Sequence, residues 1–496
     1  MKKRGRLSAL LGSAFFAALL SAMPAAAQDD SIETQIKALE AEVQKIEPLK
    51  EQIDRLRSQQ IELKKEATSA AAALPTFEYR PGRGLIIAAA DKSWSWQTSF
   101  RSEVFMYNWT GGAEGESGLT KGELFGRRVR WYNNLCWKDC FYELIWSIDS
   151  DSGNIPLELQ DQEFSVHFEQ LNPYFPTLSL GLEVGGVNGL ERSSASGSNW
   201  EISNVLSNSS VSSTGKFQGI ALNWTDVPVG PGTATLSVNY VSSGLMGISN
   251  GENRASNKKG FEGEIEVKPF SRIKNKWIQD LAFAVTTQMN SVSLEDDASS
   301  FRRQRLRNSE RRSRLAFIEA SGIGEGLHYW WSPSLQWRIG PYTLRAKWDS
   351  SRWEGEKDAF RGVKATGWQV AHGLFVWSPK GFLTGSTSTP NSVQMGWMFE
   401  RADMQCAKTR AQLGAGDCTP GAGSFFNSNT VTSRELALHY YITRGFRLGM
   451  GWNWWRVDNT TAANQDAVGC RKQSAGADPG KQCDFHTVNL ALQWQW

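Results

Sequence analysis

The chain lacks the long apolar run that a membrane-spanning helix needs. Beyond its first two dozen residues, no stretch approaches the ~18 apolar residues required, and the mean hydropathy is −0.42. Any passage through a bilayer must therefore be made by strands. The chain also lacks an excess of either charge, since 54 Lys and Arg face 51 Asp and Glu over 496 residues. That balance excludes a globally basic surface for nucleic acid, and no recognition module accompanies the local arginines. Histidine is scarce, and the five present (His167, His328, His372, His439 and His486) show no grouping with a nucleophile and an orienting group. A hydrolase would need such a grouping, so no enzyme activity and no cofactor are expected.

Cysteine is almost as sparse. Its six residues fall into three sequence-local pairs, Cys136/Cys140, Cys406/Cys418 and Cys470/Cys483. An oxidising compartment could close these as loop staples. The alternative, metal ligation, suits them poorly because the spacings are irregular and no histidine lies near any pair.

What the chain does have begins with an address. "MKKRGR" is a basic start, "LSALLGSAFFAALLSAM" is apolar, and Ala25-Ala26-Ala27 precedes Gln28 as a small-residue cleavage site. Residues 1–27 are expected to be a removed signal peptide. A retained anchor fits less well, because Gly12 and Ser13 break the apolar run and Pro24 ends it. Loss of Lys2, Lys3, Arg4 and Arg6 leaves 50 basic against 51 acidic groups.

Residues 28–66 carry heptads. Ile32, Ile36, Leu39, Val43 and Ile46 are spaced 4-3-4-3, and Leu49, Ile53, Leu56, Gln60 and Leu63 repeat that spacing. Two successive threes join the halves beside Pro48, which removes a backbone donor and should kink the helix. Ile and Val at both seam positions favour three strands over two in a coiled coil. A solvated amphipathic helix packed on its own domain is the plainer alternative. Residues 67–93 are expected to be a linker.

From residue 94 to 496 the apolar period is two. Val488, Leu490, Leu492, Trp494 and Trp496 alternate with Thr487, Asn489, Ala491, Gln493 and Gln495. Ala234, Leu236, Val238 and Tyr240 repeat the pattern, as do Leu281, Phe283, Val285 and Met289, and Tyr342, Leu344, Ala346 and Trp348. The segments are about ten residues long, aromatics gather at their ends, and Glu262, Glu264, Glu266, Arg338, Arg345, Lys347 and Arg447 all fall on the polar face. A charge on the lipid face near mid-membrane costs ~2–4 kcal/mol, so this distribution predicts an all-β transmembrane barrel over a soluble sandwich. Arg127 shares a face with Val129 and Trp131 and is expected near a rim.

Sixteen antiparallel strands are expected, near 94–107, 124–135, 140–149, 162–171, 177–186, 215–225, 233–242, 259–270, 277–290, 329–339, 342–352, 366–377, 392–402, 434–443, 446–456 and 485–496. Tight turns would face the periplasm and long loops the exterior, in an outer-membrane barrel preceded by the short N-terminal coiled coil.

Several stretches, in this order, resemble the phosphate-selective porin O and P family of Gram-negative outer membranes. They are "GRRVRWYNNLCWKDCFYELIWSIDSDSG", "LGLEVGGVNGLERSSAS", "IGPYTLRAKW" and "GFLTG". The chain departs from the family at "VGGVNGLE", which lacks the lysine and proline often found before the Leu-Glu. The resemblance implies a homotrimer of 16-stranded porin barrels in which the third and fifth loops fold inward and basic side chains lead anions through.

One local excess of charge stands out against the overall balance. "FRRQRLRNSERRSR" holds Arg302, Arg303, Arg305, Arg307, Arg311, Arg312 and Arg314 with a single carboxylate, Glu310. Inside a vestibule these would concentrate anions, because low-dielectric walls focus the field and guanidinium forks match phosphate oxygens. Arg128, Arg130, Arg338, Arg345, Lys347 and Arg447 would extend the path along the wall, against Glu103, Glu143, Glu183 and the three glutamates near 264. Facing outward, the same arginines would meet lipopolysaccharide phosphates or form a solvated face. Two functions follow. One is a passive diffusion channel for small solutes, anions such as phosphate or polyphosphate first among them, or a porin for a different solute. The other is a structural barrel that anchors the envelope through its coil to a periplasmic partner such as peptidoglycan.

Overall fold

The computed structural model describes residues 29–110, 122–151, 155–182, 218–242, 259–292, 304–307, 316–320, 326–355, 363–384, 389–406, 429–458 and 483–495. The leader expected at residues 1–27 lies outside them. The chain divides into two units, residues 1–74 and 75–496.

In the first unit α1 (Asp29–Ala73) is one helix that continues through Pro48. Ile36, Leu39, Ile53 and Leu56 of the heptad seam are exposed. Solvated pairs Glu33–Lys37 and Asp54–Arg57 lie one turn apart along it.

The second unit opens inside the tract expected as a linker, which holds a hairpin as well as the end of α1. β1 (Thr76–Arg80) pairs with β2 (Gly84–Ala88). Pro81 and Gly82 make the turn, with Gly82 at φ 77° and the Arg83 amide donating to the Arg80 carbonyl at 2.8 Å. Proline at the second and glycine at the third position are what a type II turn demands. β1 is exposed along its length, and Arg80 donates twice to Glu78 at 2.7 Å. Those bonds hold the Glu78 carboxyl below its ordinary range. β2 then lies on the next strand so closely that a Cβ at Gly84 would stand 2.0 Å from the Thr98 carbonyl oxygen.

The barrel follows: β3 (Trp94–Thr110), β4 (Gly122–Trp137), β5 (Tyr142–Asp151), β6 (Ile155–His167), β7 (Thr177–Leu182), β8 (Gln218–Val229), β9 (Gly232–Ser242), β10 (Lys259–Lys268) and β11 (Leu281–Val292). A separate hairpin, β12 (Gln304–Arg307) and β13 (Ala316–Ala320), precedes β14 (Gly326–Ile339), β15 (Tyr342–Gly355) and β16 (Val363–Ser378). The short β17 (Gly381–Phe382) leads to β18 (Ser392–Cys406), β19 (Asn429–Thr443), β20 (Phe446–Asp458) and β21 (Cys483–Gln495). Each long strand pairs antiparallel with its neighbour, and β21 closes on β3 through Leu490↔Met106 and Leu492↔Val104. The result is a closed ring of sixteen strands, with fifteen near their expected places; β6 begins seven residues before the expected 162 and ends in a 3₁₀ turn, Phe168–Gln170.

Burial is inverted relative to a soluble domain. Outward Val285 is 45% exposed while its inward neighbour Thr286 is 0% exposed. The same alternation runs along β19, where Leu436 and Leu438 are exposed and Glu435 and His439 are buried. An apolar outer band and a polar inner wall are the solution for a barrel whose solvent is hydrocarbon. The side chain of Arg127 lies outside the described residues, but the pairing fixes its backbone place. Glu103 pairs with Arg128 and Val104 with Gly126, so Arg127 is the extra residue of a bulge.

The tight turns lie at one end of the ring, among them 138–141, 230–231, 340–341 and 444–445, and the long connections at the other. Between β4 and β5, Lys138, Asp139 and Cys140 have φ of 51°, 54° and 64°. Left-handed backbone costs an L residue about 1–2 kcal/mol, and here the Cys136–Cys140 disulfide, with its Cα atoms 4.4 Å apart, holds the turn. Cys406 and Cys483 sit at strand ends, while Cys418 and Cys470 lie outside the described residues. Changing Cys136 and Cys140 together to serine should lower the stability of the vesicle-inserted barrel by about 2 kcal/mol. Urea equilibrium unfolding checks this, and an unchanged midpoint would mean that the turn holds itself.

Candidate channel lumen

Inward residues form rows that cross the wall strand by strand. One row runs Gln336, Arg345, Ala371, Met398, Glu435, Asn453, Thr487 from β14 to β21. The next runs Ser334, Lys347, Gln369, Glu400, Ser433, Trp455. These side chains are in register because the pleat sends every second residue inward and antiparallel pairing aligns partners.

Around the closing seam the wall is rich in arginine. The Arg447 Nε donates to Gln493 Oε1 at 2.8 Å. Gln493 pairs across β21 with Glu103, and Arg101 Nη2 meets Glu103 Oε1 at 2.5 Å. Arg101 stands opposite Arg130. Arg130 donates to Asp149 Oδ2 from Nε at 3.1 Å and Nη2 at 2.7 Å, and its guanidinium lies 5.4 Å from the Tyr132 ring. On β15, Lys347 Nζ is 3.2 Å from Asp349 Oδ1 and 5.6 Å from the Trp330 ring, whose Nε1 donates to the same carboxylate at 3.3 Å.

The acidic stripe expected on β10 is also inward. Glu262 accepts from Gln288 Nε2 at 2.6 Å, Glu264 from the Thr286 hydroxyl at 3.4 Å, and Glu266 meets Lys268 Nζ at 2.8 Å. Counted round the ring, β10 is the eighth strand and β21 the sixteenth. The glutamate stripe therefore faces the seam carrying Arg101, Arg130 and Arg447 from across the barrel.

Of the basic residues expected along the path, Arg130 and Lys347 are buried in ion pairs, Arg345 and Arg447 are buried, and Arg338 is exposed at the tight-turn end. The backbone of Arg128 lies on β4 opposite Glu103. Arg305 and Arg307 have their backbone on β12, whose partner β13 sets Glu319 opposite Arg305. Cα atoms of β12 come within 8 Å of β18, the third strand beyond β14 in the ring. Arg302, Arg303, Arg311, Arg312, Arg314 and Glu183 lie outside the described residues.

Three groupings were not singled out from sequence. Arg101–Glu103 and Lys347–Asp349 are opposite charges two residues apart on one strand face, a signal that period-two reading contains. His167 places Nδ1 2.6 Å from Glu169 Oε1 and Nε2 3.0 Å from Glu143 Oε2, and Glu143 also accepts from Asn134 at 2.6 Å. Only the fold brings that cluster together at the tight-turn end, because its members come from β4, β5, β6 and the 3₁₀ turn after β6.

No family model matches the chain, and no curated protein matches its sequence. Solved structures with similar shape include OmpT of Vibrio cholerae, with TM-score 0.48 and 8% identity, covering 82% of this chain and 98% of that one. The outer membrane channel DcaP of Acinetobacter baumannii gives 0.46 and 11%, covering 82% and 98%. An anion-selective porin from Comamonas acidovorans gives 0.46 and 8%, covering 81% and 100%. Identities of this size leave no functional residue to carry over.

Removing one partner of a buried pair leaves an uncompensated charge, at about 3–5 kcal/mol. Asp149→Leu and Arg130→Met should therefore each destabilise the barrel by about 3 kcal/mol. The double change Arg130→Met, Asp149→Leu should restore most of it. A double-mutant cycle in urea checks this, and additive losses would count against a coupled pair.

Proposed function

We propose that this protein is a passive outer-membrane diffusion channel for small anions, phosphate and polyphosphate among them. Residues 1–27 are its removed leader, α1 is a periplasmic coiled coil, and three copies assemble side by side. The observation that carries the reading is the path of the arginine-bearing segment. Its described strand, β12, approaches β18 rather than only the strands it connects, which supports a basic segment laid across the barrel. The wall itself contributes little net field, because Arg101, Arg130 and Lys347 are each matched by a carboxylate. A segment with seven arginines and one carboxylate is then the strongest source of positive potential in reach of a permeating ion. A sixteen-stranded ring is wide enough for an aqueous path.

A second reading has an observation of its own. Inward polar side chains such as Glu400, Gln369 and Asn453 are almost wholly buried, which favours a narrow or closed barrel serving as an envelope anchor, with α1 reaching peptidoglycan.

Reconstitution in a planar bilayer under a KCl gradient separates the two. The channel reading predicts a reversal potential on the chloride side, block by phosphate, and loss of selectivity when Arg302, Arg303, Arg305 and Arg307 become alanine. Deleting residues 29–74 should leave conductance intact. Absence of conductance in the unaltered protein would sink the channel and favour the anchor. Selectivity untouched by the four substitutions would remove the arginines from the path.

A further inference from the structure

The outer wall is not uniformly apolar. Five strands in succession around the ring, β15, β16, β18, β19 and β20, each carry an outward-facing cation toward the end with the long connections. These are Arg352, Lys364, Arg401, Arg434 and Arg456. Their inward neighbours Ser351, Ala365, Ala402, Ser433 and Trp455 are buried, which fixes the cations on the opposite face. Arg352 stands opposite Lys364, and Arg401 stands opposite Thr432, which in turn faces Arg456. Lys364 stands opposite Gln405, four residues from Arg401, and Arg434 lies two residues below the level of Arg401 and Arg456, so the five fall in one band along adjacent strands, an arc of the ring.

Their height along the wall is set by the aromatics. Arg456 is two residues beyond Trp454 and Arg401 two beyond Phe399, while Arg352 is four beyond Trp348. At ~3.3 Å per residue these three, and Lys364 four residues from Trp368, lie roughly 7–13 Å past the outward ring of their own strand, while Arg434 stands level with Phe399 and Trp454. Aromatic rings mark the boundary between hydrocarbon and headgroups, so the arc lies at headgroup depth. On β4, β6, β8, β9, β10 and β11, the outward side chains described nearest that edge are Leu124, Leu159, Ile220, Tyr240, Phe261 and Met289, all exposed and none charged. Among the side chains described on those six strands, none near that edge is an outward cation.

We propose that this arc docks the phosphorylated headgroups of a glycolipid in the outer leaflet. Guanidinium forks match phosphate oxygens in bidentate fashion. Among the described outward side chains of these strands and β21, two carboxylates temper the arc. Asp403 accepts both bonds from Arg401 at 3.0 Å, and Asp484 stands opposite Arg456. Arg401 and Arg434 nevertheless remain exposed. An anchored headgroup is favoured over free phosphate because the cations form a band along the membrane plane and face away from the lumen. The inference rests on the orientation proposed above, long connections outward, and does not depend on conduction.

The test uses full-length protein refolded in detergent, with binding of diphosphoryl lipid A measured against monophosphoryl lipid A and inorganic pyrophosphate. The unaltered protein should bind the diphosphoryl lipid most tightly and pyrophosphate hardly at all. R434Q/R456Q should weaken lipid binding by about fivefold for each charge removed. K274Q/K276Q, an equal charge loss in the connection between β10 and β11 at the opposite end, should leave it unchanged. R434K/R456K, which keeps the charge and loses the fork, should bind between the unaltered protein and R434Q/R456Q. Equal weakening by both glutamine pairs would overturn the proposal, as would pyrophosphate competing as well as the lipid. Bilayer conductance of R434Q/R456Q should match that of the unaltered protein, so a failure of the channel reading would show separately.

Discussion

Everything in the larger unit depends on one requirement, that no strand edge be left unpaired in hydrocarbon. Each unsatisfied backbone group there costs several kcal/mol, and the only escape for a sheet is to return to its first strand. The seam between β21 and β3 is that return, and it is the pairing made between the most distant parts of the barrel's chain. It fixes the strand count as even, sends the tight turns to one end, and forces alternation of side chains on all sixteen strands. It also explains why the arginine-rich network of Arg447, Gln493, Glu103, Arg101 and Arg130 bridges the two halves of the seam. Side-chain bonds there reinforce the pairing that the ring needs most.

Inside, the chain solves a second problem. Charges placed on an inner wall must be solvated by water or matched by partners. Arg101 with Glu103, Arg130 with Asp149 and Lys347 with Asp349 are matched along the wall itself. A wall neutralised in this way adds little field of its own.

The fold was legible because the period of two is a local signal repeated sixteen times. Leu436, Leu438 and Tyr440 announce an outward row whether or not the partner strand is known. Local turn chemistry was legible too in IGPY and in the Cys136–Cys140 turn. The β1–β2 hairpin was missed, although TFEYR, a Pro-Gly pair and GLIIA spell it, because the alanine-rich tract before it drew the reading toward a linker. The bulge at Arg127 could not be read, since it is a property of two strands together. Of the lumen, the identity of inward charges was visible but their pairing was not. Arg130 and Asp149 meet only because β4 and β5 are in a particular register. The His167 cluster draws on four elements and has no sequence footprint.

The hairpin has a consequence for how the ring is closed in time. β2 occupies β3 from Ser95 to Thr98, and β21 occupies the same edge from Arg101 to Thr110. The first pairing joins residues about a dozen apart and has almost no loop-closure penalty, whereas the second must wait for nearly the whole barrel. By the time β21 arrives, the lower part of its berth is already taken. A slip of β21 toward the tight-turn end would collide with β2. The early hairpin thus serves as a stop against which the slowest contact in the molecule finds its register.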